Sequence, residues 1–165
     1  MQGRVMTLRE LLPSLSSPDD ARALWPGEIH THGGRMCVRS DGRAETFLDD
    51  LCDEYGDAVA VRADTAVVTV TRVRSVDVYR GLLRVVTTGA DSGVAPVSVR
   101  VASRHPVCRP VPCCLCTRSG RCVCPALDLP SDIHAGDVLA MVTRCGDPAF
   151  RGPTVCVRSG CVERE

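Results

Sequence analysis

The chain has no lysine: all 20 basic residues are arginine, so its cationic surface is made of planar guanidinium groups that bind anions in bidentate fashion. A GC-rich coding sequence produces the same bias without any selection for binding. Aromatic residues are nearly as scarce, at 3% of 165 residues, which excludes a core of stacked rings. Apolar residues still reach 44%, so the core must come from Val, Leu, Ala and Cys. Twenty acidic residues cancel the arginines to a formal net charge of zero. That balance excludes a global basic field and leaves only a local Arg face for nucleic-acid contact. No apolar run approaches the roughly 18 residues of a membrane span. The opening MQGRVMTLRELLPSL also lacks the charged, apolar and small-residue plan of a signal peptide. No membrane partner is expected. There is no phosphate-binding Gly loop, no G-x-S-x-G elbow and no helical H-E-x-x-H, so the chain is expected not to be an enzyme.

Cysteine, by contrast, is abundant. Eleven cysteines without a secretion signal argue for a reducing compartment, where thiols stay free or hold metal. Six of them fall in residues 105–130 together with five prolines. That composition predicts a long loop rather than a packed strand or helix, and loops of this length are functional, metal-stapled or disordered. Within it, Cys113-x-x-Cys116 and Cys122-x-Cys124 flank a Thr-Arg-Ser-Gly-Arg turn. Four such thiolates suit tetrahedral Zn²⁺, and a structural zinc would order a Pro-rich loop. The alternative is reduced thiols in a flexible insertion. His30-x-His32 beside Gly33-Gly34 is a thinner metal pair.

The remaining pattern is mainly β. Residues 5–25 carry Leu8, Leu11, Leu12 and Leu15 near helical spacing, broken by Pro13. Ser17-Pro18-Asp19-Asp20 reads as a helix start. A strand is expected over Met36–Ser40, a turn at Asp41-Gly42 and an amphipathic helix over Ala44–Glu54. From Gly56 to Thr87 the chain runs GDAVAVRADTAVVTVTRVRSVDVYRGLLRVVT, two or three Val/Thr-rich strands. Their alternation slips near Arg72, as at a bulge. Val97, Val99 and Val101 alternate with Ser98 and Arg100. Val138–Thr143 and Thr154–Arg158 supply the last strands. Expected organisation is therefore a small β-rich N-terminal subdomain (1–55, short helices and a hairpin), a five-stranded OB-type barrel (56–160) with the Cys-rich insertion at 105–130, and a tail (161–165). Arg72, Arg74, Arg80 and Arg84 lie on neighbouring expected strands and make a candidate phosphate-gripping face, with Tyr79 the one stacking aromatic nearby. A solvated strand face fits the same residues.

The layout resembles the exosome cap subunit of the Csl-four type, a small N-terminal β domain followed by an S-one-type RNA-binding barrel. Pro26-Gly27-Glu28 is similar to that family's early Pro-Gly-Glu, and AVVTVTRVRSVDVYRGLLRVV after Gly56-Asp57 to its first barrel strands. Ile133–Arg144, running on to Gly146-Asp147, is similar to its phrase of Gly-Asp, apolar strand and Gly-Asp turn, with Thr154–Gly160 as the closing strand. The Cys-rich segment and the missing aromatics set this chain apart from the family. The resemblance implies a non-catalytic subunit of nucleus and cytoplasm. It would dock on a ring of RNase-PH-like subunits of the RNA-degrading exosome and guide RNA towards the nuclease. Two other readings stand beside it. One is a zinc-stapled viral or regulatory module that engages a partner protein through the Cys/Pro/Arg segment. The other is an inactive dUTPase-like fold: Tyr79-Arg80-Gly81 with Val85-Val86 resembles the dUTPase motif, but Val76 stands where its acid belongs.

Overall fold

Apolar residues at every second position write most of this molecule as strands. The computed structural model describes residues 24–39, 44–88, 95–143, 150, 152–157 and 162–163. The helical turns expected before residue 24 lie outside them. So do the turns expected at Asp41-Gly42 and Gly146-Asp147, and Cys145 and Cys161.

A small antiparallel sheet comes first, from β1 (Ile29–His32), β2 (Arg35–Val38) and β3 (Thr46–Phe47). Gly33 and Gly34 connect the first two, with φ of 58° and 83°. Positive φ at both central residues marks the two-residue turn whose twist matches a hairpin. It aligns His32 with Arg35 and His30 with Cys37. Helix α1 (Leu48–Tyr55) follows β3, starting later than its sequence pattern suggests because Phe47 pairs with Cys37 in the sheet. Asp49 and Asp50 in its first turn complement the helix dipole.

The rest is a nine-stranded sheet among the described residues, curled into a nearly closed barrel. Its strands are β4 (Ala58–Arg62), β5 (Val67–Tyr79), β6 (Leu82–Thr88), β7 (Ser98–Val101), β8 (Pro110–Cys116), β9 (Cys122–Pro130), β10 (Val138–Thr143), β11 (Thr154–Cys156) and β12 (Val162–Glu163). The main path runs β12-β11-β4-β5-β6-β8-β9. β10 pairs β5, and β7 pairs β10. β5 is the organiser. Residues 67–71 pair β4, residues 67–72 pair β10, and residues 72–79 pair β6. The register slips between Val73 and Ser75, leaving Arg74 as the extra residue of a bulge. This bears out the slip expected near Arg72, two residues downstream. Such a bulge bends the strand and lets one chain segment serve two parts of a curled sheet.

Two apolar clusters result. The first sandwiches Ile29, Met36, Val38, Leu48, Leu51 and Cys52 against Val59, Val61, Val68, Val70, Val138, Ala140 and Val142. The small sheet and α1 therefore share a core with the large sheet. The second lies inside the barrel, where Val73, Val85, Val101, Cys113, Leu115, Leu129, Leu139 and Met141 meet. Six strands, β5 to β10, line it where the sequence suggests five. β10 is buried along its whole length because its alternate residues enter different clusters.

The expected Cys/Pro loop is corrected here: residues 110–116 and 122–130 are paired strands of the barrel wall. Leu115 and Leu129 are almost wholly buried. The prolines are accommodated by position. Pro110 and Pro112 precede Cys113, where pairing with β6 begins, so their missing N–H groups cost no ladder bond on that side. Pro125 falls at a register shift on β9, a strand at the end of the sheet path.

Candidate metal centre

The face of the small sheet turned away from the core gathers the polar residues. Ile29, Met36 and Val38 enter the first cluster, so strand alternation puts His30, Cys37 and Arg39 on the opposite side. Glu45, just before β3, completes the group. Its Oε1 lies 2.8 Å from His30 Nε2 and its Oε2 lies 2.7 Å from His32 Nδ1. Cys37 Sγ is 3.2 Å from His30 Nε2 and 3.9 Å from Glu45 Oε2. One nitrogen, one sulfur and one carboxylate oxygen thus come within 4.8 Å of one another, a spacing from which a metal ion can be held. Arg39 donates to Glu45 as well, so the carboxylate is oriented from three sides.

The electrostatics follow from this packing. His32, Arg39 and His30, in that order, hold the Glu45 carboxyl down at about 2. Burial, and then the Glu45 charge, push the Cys37 thiol above its ordinary value. A divalent cation would reverse the second effect by stabilising the thiolate. The mixed N/S/O donor set is one that Zn²⁺ accepts. His32 and Arg39 would then act on Glu45 from outside, in the way outer partners orient metal ligands.

Of this group, sequence reasoning singled out only the two histidines. Cys37 was within reach: in a two-residue turn at Gly33-Gly34, His30 must face the residue seven positions on. Glu45 was not, because its approach depends on β3 returning beside β2.

The cysteine set expected to bind zinc is arranged differently. Cys113 faces the barrel core with its thiol donating to the Leu127 carbonyl at 3.3 Å, and Cys124 packs against the same core. Cys116 and Cys122 occupy the other face of the hairpin, opposite each other across the ladder. The pleat therefore divides the four sulfurs two and two.

The Arg set is also divided. Arg72 donates to Asp53, Asp57 and the Gly136 carbonyl near the end of α1. Arg84 makes a two-pronged pair with Asp77, directly opposite on β5, at 2.8 and 2.7 Å. Arg74 is exposed at the bulge. At the β5–β6 tip, the guanidinium groups of Arg80 and Arg84 lie 5.2 and 5.4 Å from the centre of the exposed Tyr79 ring. The structure brings Tyr79, Arg80 and Arg84 together and leaves Arg72 at the other end of the ladder.

No family model and no curated protein matches the chain. Among solved structures, it is similar over 55% of its length to a Paramecium bursaria Chlorella virus arginine decarboxylase bound to agmatine, at 19% identity and a TM-score of 0.40. It is also similar over 61% of its length to AQ1208 from Aquifex aeolicus, at 13% identity and a TM-score of 0.42. The chain spans 26% and 29% of those two proteins, respectively.

Proposed function

We propose that this chain is a non-catalytic interaction module whose N-terminal hairpin is stapled by zinc. The convergence of His30 Nε2, Cys37 Sγ and a Glu45 oxygen within 4.8 Å carries this reading. The ligands come from the β1–β2 hairpin and the segment just before β3, so a metal there would fix the hairpin that closes the first core. The neutral net charge and the carboxylates already paired to Arg72 and Arg84 favour a protein partner over a polyanion.

The test is metal analysis of the purified full-length protein, with thermal unfolding before and after chelation. One zinc per chain is expected, lost in a His30→Ala/Cys37→Ser double variant, with unfolding at lower temperature once the metal is stripped. Folded, zinc-free protein that takes up no zinc on titration would sink the reading.

A second reading keeps the RNA-contacting role that the exosome-cap resemblance implies. Its support is the exposed Tyr79 ring flanked by two guanidinium groups, a platform on which an unpaired base stacks. Tyr79→Ala would then abolish binding of single-stranded RNA, and the chain would co-purify with RNase-PH-like ring subunits. Failure of both would remove this alternative.

A further inference from the structure

The second face of the β8–β9 hairpin carries chemistry that the metal centre does not use. Cys116 and Cys122 are register partners on antiparallel strands. The next pair towards the turn is hydrogen-bonded: Thr117 N–H donates to the Arg121 carbonyl at 2.8 Å, and Arg121 N–H donates back to Thr117 Oγ1 at 3.2 Å. Hydrogen-bonded and non-hydrogen-bonded pairs alternate along an antiparallel ladder. Cys116 and Cys122 therefore form a non-hydrogen-bonded pair, in which Cα atoms approach to about 4.5 Å. That separation lies inside the range of about 4.4–6.8 Å spanned by disulfides.

Cys114 lies two residues before Cys116 on the same side, beside Arg84, its partner on β6. Cys114 and Cys122 are the ionisable neighbours that act on the Cys116 thiol, behind burial. The three sulfurs do not all approach within 4.8 Å of one another, so the face favours a bond between two sulfurs over a closed metal cage.

We propose that Cys116 and Cys122 form a reversible dithiol–disulfide site that exchanges with low-molecular-weight disulfides of the glutathione class. Exposure sets the order of events. Cys122 is exposed and meets the reagent first, whereas Cys116 is 4% exposed. The Cys122 thiolate attacks one sulfur of glutathione disulfide, that S–S bond breaks, and one glutathione thiolate leaves. The Cys116 thiolate then attacks the Cys122 sulfur of the mixed disulfide and expels the second glutathione. Two electrons pass from the protein sulfurs to glutathione, and the two thiol protons end on the two departing thiolates. Burial, followed by the Cys114 thiol, pushes Cys116 up to about 11, so it is a poor first attacker. Held against the mixed disulfide, it needs no encounter from solution. Cys113, buried in the barrel and pushed up to about 12, stays outside this exchange. The site is independent of the zinc reading, since it shares no residue with His30, Cys37 and Glu45.

The test equilibrates reduced full-length protein in glutathione buffers from fully reduced to fully oxidised, quenches with acid and alkylating reagent, and maps thiols by tandem mass spectrometry. Cleavage after Arg118 and Arg121 places the two cysteines on different peptides, and fragment ions within the linked pair separate Cys116 from Cys113 and Cys114, and Cys122 from Cys124. A Cys116–Cys122 link is expected to dominate as oxidised glutathione rises, and Cys124→Ser leaves it unchanged. Cys116→Ser traps glutathione on Cys122. Cys122→Ser, at an exposed position that folding tolerates, slows modification of Cys116 by about tenfold or more. A wild-type chain that stops at glutathione-capped Cys122, or links Cys122 mainly to another cysteine, would overturn the proposal.

Discussion

Asp137, at the start of β10, accepts both Nε and a terminal nitrogen of Arg104 at 2.8 Å each. The carboxylate is 3% exposed and takes a further bond from the His134 N–H at 3.1 Å. Arg104 reaches on to Asp132 at 2.7 Å, tying the loop before β10 to the segment after β7. Asp137 and Asp132 together raise the Arg104 guanidinium above its already high ordinary value.

Removing Arg104 would leave Asp137 buried without its counter-ion. Arg104→Ala is expected to cost about 3 kcal/mol, read as a lower urea midpoint at unchanged slope. Arg104→Lys recovers only part of this, because an ammonium cannot make the two-pronged pair. A loss within about 0.5 kcal/mol for the alanine variant would mean that water replaces the guanidinium.

The β8–β9 hairpin belongs to the barrel core, and truncating it should show that. Leu115 is 1% exposed in the second cluster. Leu115→Ala is expected to destabilise by about 2–5 kcal/mol in chemical denaturation, as for any buried leucine. A flexible insertion would give a change near zero.

Glu45 supplies a pH dependence with a definite sign. Its carboxyl is held down at about 2 in the fold, while an unfolded glutamate protonates near about 4.3. Its contribution is thus fully present above the unfolded value and lost as pH falls from there towards 2. Urea midpoints of wild type and Glu45→Gln should converge through that window. A constant difference would show that the charge of Glu45 does not contribute.

Zinc uptake should release a proton, because Cys37, pushed above its ordinary value by burial, must ionise to bind. Affinity is expected to rise about tenfold per pH unit between about pH 7 and 8. Competition with a chromogenic chelator measures this, and Cys37→Ser should flatten the slope.

Individual residues show what the sequence discloses about this fold. Val/Thr alternation reveals β5, and its break reveals the bulge at Arg74, because side-chain period and strand register are the same fact. The hairpin at 110–130 is hidden for a local reason. Val111, Cys113 and Leu115 alternate as a strand should, but the prolines of the segment outweigh them until the pairing puts Pro110 and Pro112 ahead of the β6 ladder and Pro125 at a register shift. The metal candidate divides in the same way. Gly33-Gly34 fixes the His30–Cys37 pairing by counting, whereas Glu45 arrives through a third strand that no periodicity announces. The division of the Arg set is not legible in the sequence, because Asp53, Asp57 and Asp77 become neighbours of Arg72 and Arg84 only after α1, β5 and β6 come together.

β10 places Val138, Ala140 and Val142 in one cluster and Leu139 and Met141 in the other. Neither half of the molecule can then melt alone without stripping one side of a strand that the other half needs. The chain should lose structure in a single cooperative transition, and the amide protons of residues 138–143 should exchange only through global unfolding. A partner or metal that tightens the N-terminal hairpin would by the same coupling slow exchange in the distant barrel wall.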